Sequence, residues 1–182
     1  VTDKEQKGNL TVYKEGEVFV GAVSDENGTS LQYEKRRQKG AVYNIYAAED
    51  IVTAGGKTVY KKGAEVAKNL ITGEDGSVTV KDLPLGSYYV KELKAPDGFV
   101  SSDEVLRFDA SYQGQDVQTV TLKSVKKNQP TTVEITKSDA TTGVELDGAY
   151  LKVTDKDGNV VDSWTSSKDA PHVIKYLKVG ET

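Results

Sequence analysis

The chain contains no cysteine. A zinc cluster, a thiol nucleophile and a disulfide framework are therefore all excluded. Exported proteins often staple small domains with disulfides, so a cysteine-free exported chain needs another source of rigidity. Proline is scarce, with 4 residues in 182, and no segment is of low complexity, which argues against disorder. No apolar run approaches the length of a membrane span. Val1–Lys7 is polar, so no signal peptide opens the sequence; an exported protein would be represented here by a mature or excised segment. The net charge is only -4, with Lys and Asp/Glu interspersed, so the basic face of a nucleic-acid binder is missing.

What is plentiful is Val, Thr, Tyr and Gly, which favour strands and the turns between them. Short alternating segments are expected as strands at Leu10–Lys14, Ala41–Tyr46, Ser77–Val80, Tyr88–Leu93, Val105–Phe108, Val117–Leu122, Thr132–Lys137, Ala149–Thr154 and Val160–Trp164. Asn27-Gly28, Asp75-Gly76, Asp97-Gly98 and Asp157-Gly158-Asn159 mark turns, and Ser24–Lys39 and Thr53–Gly63 read as long loops. Ala64–Leu70 is compatible with a short helical turn. The spacing predicts an all-β chain of sandwich domains.

The sequence also repeats itself. Leu10-Thr11-Val12-Tyr13-Lys14 matches Val133-Glu134-Ile135-Thr136-Lys137, and each is followed by a Gly-Ala pair, Gly40-Ala41 and Gly148-Ala149. An alternating strand follows each pair. Leu83-Pro84-Leu85-Gly86-Ser87-Tyr88 then corresponds to Leu177-Lys178-Val179-Gly180-Glu181-Thr182. The expected organisation is a complete unit at residues 8–130 and the first part of a second unit at residues 131–182.

Two charged residues sit where apolar ones belong. Lys14 follows Leu10 and Val12 at period two, and Glu92 follows Tyr88 and Val90 in the same way. A buried charge is costly unless paired. The pattern leaves three readings open: solvent-facing strands, an ordinary buried ion pair, or a reactive site.

Tyr88-Tyr89-Val90-Lys91-Glu92-Leu93-Lys94-Ala95-Pro96-Asp97-Gly98-Phe99 resembles the Tyr-x-x-x-Glu-x-x-Ala-Pro-x-Gly-Tyr signature of the collagen-adhesin B-type domains of Gram-positive pilins and adhesins, also described as prealbumin-like. Lys137-Ser138-Asp139 through Leu146-Asp147-Gly148-Ala149 is similar to the opening of such a domain, and Asn128-Gln129-Pro130 to its close. The resemblance implies tandem Ig-like, prealbumin-like sandwiches and an intramolecular isopeptide bond. Lys14 would be the nucleophile, Asn128 the acceptor and Glu92 the proton shuttle that also steadies the developing oxyanion on the Asn carbonyl. Lys126 and Lys127 make the Asn128 segment look exposed, so Asp109 and Asp116 are the alternative acceptors. In the second unit Lys137 matches the nucleophile. Its Glu and closing Asn are not in the sequence, so that unit is expected to need strands from a missing segment or another chain.

Other signals are weaker. His172, the only histidine, has no recognisable catalytic partner, and Asp155-Lys156-Asp157-Gly158-Asn159 reads as a hairpin turn without the downstream Glu of a calcium loop. No metal or cofactor is expected. The resemblance implies an extracellular, cell-wall-anchored protein whose anchor lies outside this sequence. It implies a non-enzymatic stalk or shaft module partnered by other domains of the same surface protein. The alternative is an adhesin domain contacting a host matrix or cell-surface ligand.

Overall fold

A computed structural model of the chain describes residues 5–26 and 28–175. The expected Asn27-Gly28 turn and the Leu177–Thr182 counterpart fall wholly or partly outside the described residues. The fold is all-β, with fourteen strands among the described residues. In chain order they are β1 Lys7–Asp25, β2 Gly28–Arg37, β3 Val42–Ala47, β4 Ile51–Val52, β5 Thr58–Tyr60, β6 Glu65–Ile71 and β7 Ser77–Pro84. There follow β8 Gly86–Lys94, β9 Leu106–Ala110, β10 Thr119–Lys127, β11 Thr132–Ile135, β12 Tyr150–Thr154, β13 Val160–Thr165 and β14 His172–Lys175.

The strands divide into two compact units. The first holds the chain up to Gly16 together with Arg37–Asn128; the second holds Glu17–Arg36 together with the chain from Gln129 onward. Glu17–Arg36 therefore groups with the second unit, although the sequence reading assigned it to the first.

The first unit is a sandwich. In one sheet β1 runs between β10, to which it is parallel, and β7, to which it is antiparallel. The other sheet has the order β6-β3-β8-β9, all antiparallel. Period-two alternation turns Leu10 and Val12 of β1 inward, with Tyr43 and Ile45 of β3, Tyr88 and Val90 of β8, and Phe108 of β9. These side chains form one buried cluster drawn from both sheets. Burial pushes the Tyr88 hydroxyl pKa up to about 12, and the hydroxyl donates to the Pro84 carbonyl at 2.5 Å.

Three local expectations are corrected. Ala64–Leu70 is not a helical turn: Glu65–Ile71 is a strand, β6, paired with β3 through two register shifts. Those shifts let Val66, Ala67 and Leu70 all pack against the core despite their uneven spacing. The Ser24–Lys39 loop is largely β2, and Thr53–Gly63 contains β5, which pairs with β4.

The second unit is built from two-stranded pairings. β11 pairs with β14 and β12 with β13, both antiparallel, and the chain of Glu17–Arg36 folds as the outer ends of β1 and β2. Asp155 tightens the β12–β13 turn as the sequence suggested, its Oδ1 accepting from the Asp157 and Asn159 amides at 2.9 Å each.

Gly16 shows how closely the first unit is packed. A Cβ at this position would overlap the ring of Phe99, the aromatic that closes the Glu-bearing motif. Gly16→Ala should destabilise the first unit by about 1–3 kcal/mol through overpacking. Adding Phe99→Leu should recover part of that loss. Thermal denaturation of the two variants checks this.

Candidate functional site

The candidate site lies in the first unit, where the alternation of three strands carries polar residues into the core. β1 delivers Lys14 after Leu10 and Val12. β8 delivers Glu92 after Tyr88 and Val90. β10 runs parallel to β1 with Lys14 opposite Lys126, and its inward alternation continues one step beyond the strand to Asn128. Lys14 is 0%, Glu92 6% and Asn128 8% exposed, so all three are buried. The solvent-facing reading of Lys14 and Glu92 is thereby excluded.

Glu92 is the hub. Its Oε1 accepts from the Lys14 amine at 2.9 Å, and its Oε2 accepts from Asn128 Nδ2 at 2.5 Å. The Tyr43 hydroxyl lies 3.5 Å from Oε1, and the Ser102 amide donates to Oε2 at 3.3 Å. Asn128 Nδ2 also donates to the Val100 carbonyl at 2.8 Å. Its Oδ1 is buried without a hydrogen-bond partner. One carboxyl group thus bridges an amine and a primary amide inside an apolar core.

The electrostatics follow from burial. Desolvation lowers the Lys14 pKa from its ordinary 10.5; the nearby Lys126 charge lowers it further, while Glu92 opposes the shift. Burial beside Glu92 holds the Tyr43 hydroxyl well above its usual range, so Tyr43 stays a neutral donor. Lys126, 2% exposed, is held away from the hub by Ser102 Oγ at 3.1 Å, the Glu104 carbonyl at 2.8 Å and Glu104 Oε2 at 3.2 Å.

The sequence placed Lys14, Glu92 and Asn128 together, and the fold brings them into one hydrogen-bonded set. It misjudged the exposure of the Asn128 segment. β10 extends to Lys127, and the inward-facing Lys126 is satisfied by Ser102 and Glu104 rather than by water. Asp109 and Asp116, the alternative acceptors, are both exposed. Tyr43, Val100 and Ser102 were not singled out. Only Tyr43 carried a usable signal, its place between Ala41 and Ile45 on an inward-facing strand.

In the second unit Lys137 is exposed, in the segment after β11. His172, for which the sequence offered no partner, has one: its Nε2 lies 2.6 Å from Oδ2 of the buried Asp162. The imidazole also stacks on Trp164, with ring centroids 3.9 Å apart and planes 6° from parallel. With one ring face against Trp164 and one nitrogen bonded to Asp162, His172 is a packed side chain.

Among solved structures, the Bacillus anthracis TIE protein matches over 95% of this chain and 27% of its own, at 26% identity and a TM-score of 0.51. BcpA, the major pilin subunit of Bacillus cereus, matches over 72% of this chain and 31% of its own, at 22% identity and a TM-score of 0.45. The shaft pilin SpaA of Lactobacillus rhamnosus GG matches over 92% of this chain and 78% of its own, at 19% identity and a TM-score of 0.44. The chain thus spans between 27% and 31% of the first two of these proteins. No curated protein matches it. The profile of the SpaA prealbumin-like fold domain matches residues 31–126 and again residues 131–182, together most of the chain. With its all-β architecture and its repeated motif, the chain belongs to the family of SpaA prealbumin-like fold domains.

Proposed function

We propose that this chain is a structural stalk module of an extracellular, cell-wall-anchored adhesin or pilus, stiffened by an isopeptide bond between Lys14 and Asn128. Family membership supports the structural role. The observation that carries the bond is the Glu92 carboxyl, which contacts the nucleophile with one oxygen and the leaving nitrogen with the other.

The chemistry can be followed atom by atom. Burial favours the neutral Lys14 amine, and Glu92, in contact with it, is the group placed to take the proton it gives up. The amine nitrogen attacks Asn128 Cγ. As the new C–N bond forms, Glu92 gives the proton taken from Lys14 to Nδ2 and receives another from the attacking nitrogen. The Cγ–Nδ2 bond then breaks and ammonia departs. Glu92 ends protonated, and the reaction occurs once. Holding the amine and the amide on one carboxyl group raises their effective concentration, as an unactivated amide requires. The resemblance gives Glu92 both a proton-shuttle role and a contact with the developing oxyanion; its 2.5 Å contact with Nδ2 supports the shuttle role.

The intact mass should fall short of the sequence mass by one ammonia, and a tryptic digest should join the Lys14 and Asn128 peptides. Glu92→Ala should restore the full mass. A full mass in the parent chain would overturn the proposal, and a deficit of one water would move the acceptor to an Asp.

The bond would close a loop from residue 14 to residue 128. The chain-entropy treatment of crosslinks assigns such a loop about 4–5 kcal/mol. Lys14→Ala should lower the melting temperature of the first unit and raise its trypsin sensitivity while retaining the sandwich. An unchanged melting temperature would mean that the bond is absent or idle.

An uncrosslinked chain should also report the buried amine through pH. In Asn128→Ala, Lys14 keeps its depressed pKa, so at this site the folded state binds fewer protons than the unfolded state. Stability therefore rises with pH from the depressed value up to the ordinary 10.5 and levels off above it. Denaturant titrations across that window should show the slope in Asn128→Ala. They should show it reduced when Lys14→Met is added.

A further inference from the structure

The hairpin Glu17–Arg36 lies between two segments of the first unit in sequence, yet it packs as part of the second. Its contacts run along its length. Near the tip, the Thr29 amide donates to Ser163 Oγ of β13 at 2.8 Å. Midway, the Tyr33 hydroxyl donates to the Lys175 carbonyl of β14 at 3.2 Å and accepts from the Lys175 amide at 3.1 Å. At the base, Glu17 pairs with the Lys175 amine at 3.4 Å, and that amine also lies 5.9 Å from the centre of the Tyr33 ring.

Burial gives the same picture. Among the described residues of the second unit, apart from Pro130, only Val18 at 8% and Ile174 at 6% are buried apolar side chains. One comes from the hairpin and the other from β14. The remaining strands form two separate two-stranded ribbons, β11–β14 and β12–β13. A two-stranded ribbon is marginally stable at best in water. The polar groups that β13 and β14 offer to the hairpin are main-chain and hydroxyl groups with defined directions, so the contact is a built surface with one fitted occupant.

We infer that the Glu17–Arg36 hairpin is a docking arm that the second unit requires in order to fold, supplied by the chain from within the first repeat. The second unit's β13–β14 surface is the receptor, and its partner is this chain's own hairpin. Folding of the second unit is then conditional on the hairpin, whereas the first unit is independent of it.

The experiment uses the full chain. The Gln38 amide donates to the Lys14 carbonyl at 3.0 Å, so the two strands are already paired where the hairpin leaves the first unit. Glu17–Arg36 can therefore be replaced by a short Asn-Gly turn. Trp164, the only tryptophan, reports on the second unit. The hairpin-less chain should keep the thermal transition of the first unit, lose amide protection across residues 129–175, and shift Trp164 emission to that of a solvated indole. Val18→Asp should produce the same loss with the hairpin in place. Tyr33→Phe should speed exchange of the Lys175 amide about fivefold, the effect of one hydrogen bond. Protected amides and unchanged Trp164 emission, in either the hairpin-less chain or Val18→Asp, would overturn the inference. None of these readouts depends on the crosslink.

Discussion

The arrangement of the first unit turns on one constraint: a lysine, a glutamate and an asparagine are buried together between two sheets. Removing two ionisable groups from water is expensive, and their attraction offsets this only with good geometry. Here Glu92 meets Lys14 at 2.9 Å and Asn128 at 2.5 Å, and accepts a further bond from the Ser102 amide. Replacement of the set by apolar residues would remove that tension, but it would also remove everything the set can do chemically. Desolvation wins over the Glu92 charge at Lys14, whose pKa is lowered on balance. That shift favours the amine over the ammonium relative to a solvated lysine, and the amine is the form that can attack a carbonyl carbon.

Sheet topology explains why these three residues meet. β1 is the first strand of the unit and β10 the last, and they lie side by side in parallel. In a parallel pair, neighbouring residues point to the same face, so the inward alternation of β1 and that of β10 come into step. Lys126 lies opposite Lys14, and because β10 keeps its pairing to Lys127, Asn128 faces inward two residues further on, within reach of Glu92. Glu92 approaches from the opposite sheet. A covalent link between the first and last strands would leave neither free to peel from the sheet, a protection that side-chain packing alone cannot provide.

Much of this was legible in the sequence. Alternation put Lys14 and Glu92 on the same faces as core residues without excluding solvent, and the motif around Glu92 supplied the reason to read them together. Alternation failed where residues were satisfied by distant partners. Lys126 looked like a surface charge, but its amine is held by Ser102 and Glu104, from a segment more than twenty residues earlier. His172 looked solitary because Asp162 and Trp164 are brought to it by pairing between strands that no local pattern fixes. Glu65–Ile71 lost its strand signal to the register shifts that set Val66 and Ala67 on uneven spacing. Ser24–Lys39 was read as a loop, yet most of it is β2, and the partners of Thr29 and Tyr33 lie over a hundred residues away.

β1 links these observations. Within five residues it passes from Lys14, buried in the first unit, to Val18, buried in the second. Asn128 stands in the same position at the other end of the first unit, one residue before the chain enters the second at Gln129. The two proposed reaction partners therefore lie beside two of the three points at which the chain passes between units. The third, at Arg36–Arg37, is only two residues from the Gln38 amide that bonds to the Lys14 carbonyl. A Lys14–Asn128 bond would join β1 to β10 through covalent atoms beside those points. Under the stalk role proposed above, a pull along the chain would meet that covalent link before it could separate the first strand of the unit from the last.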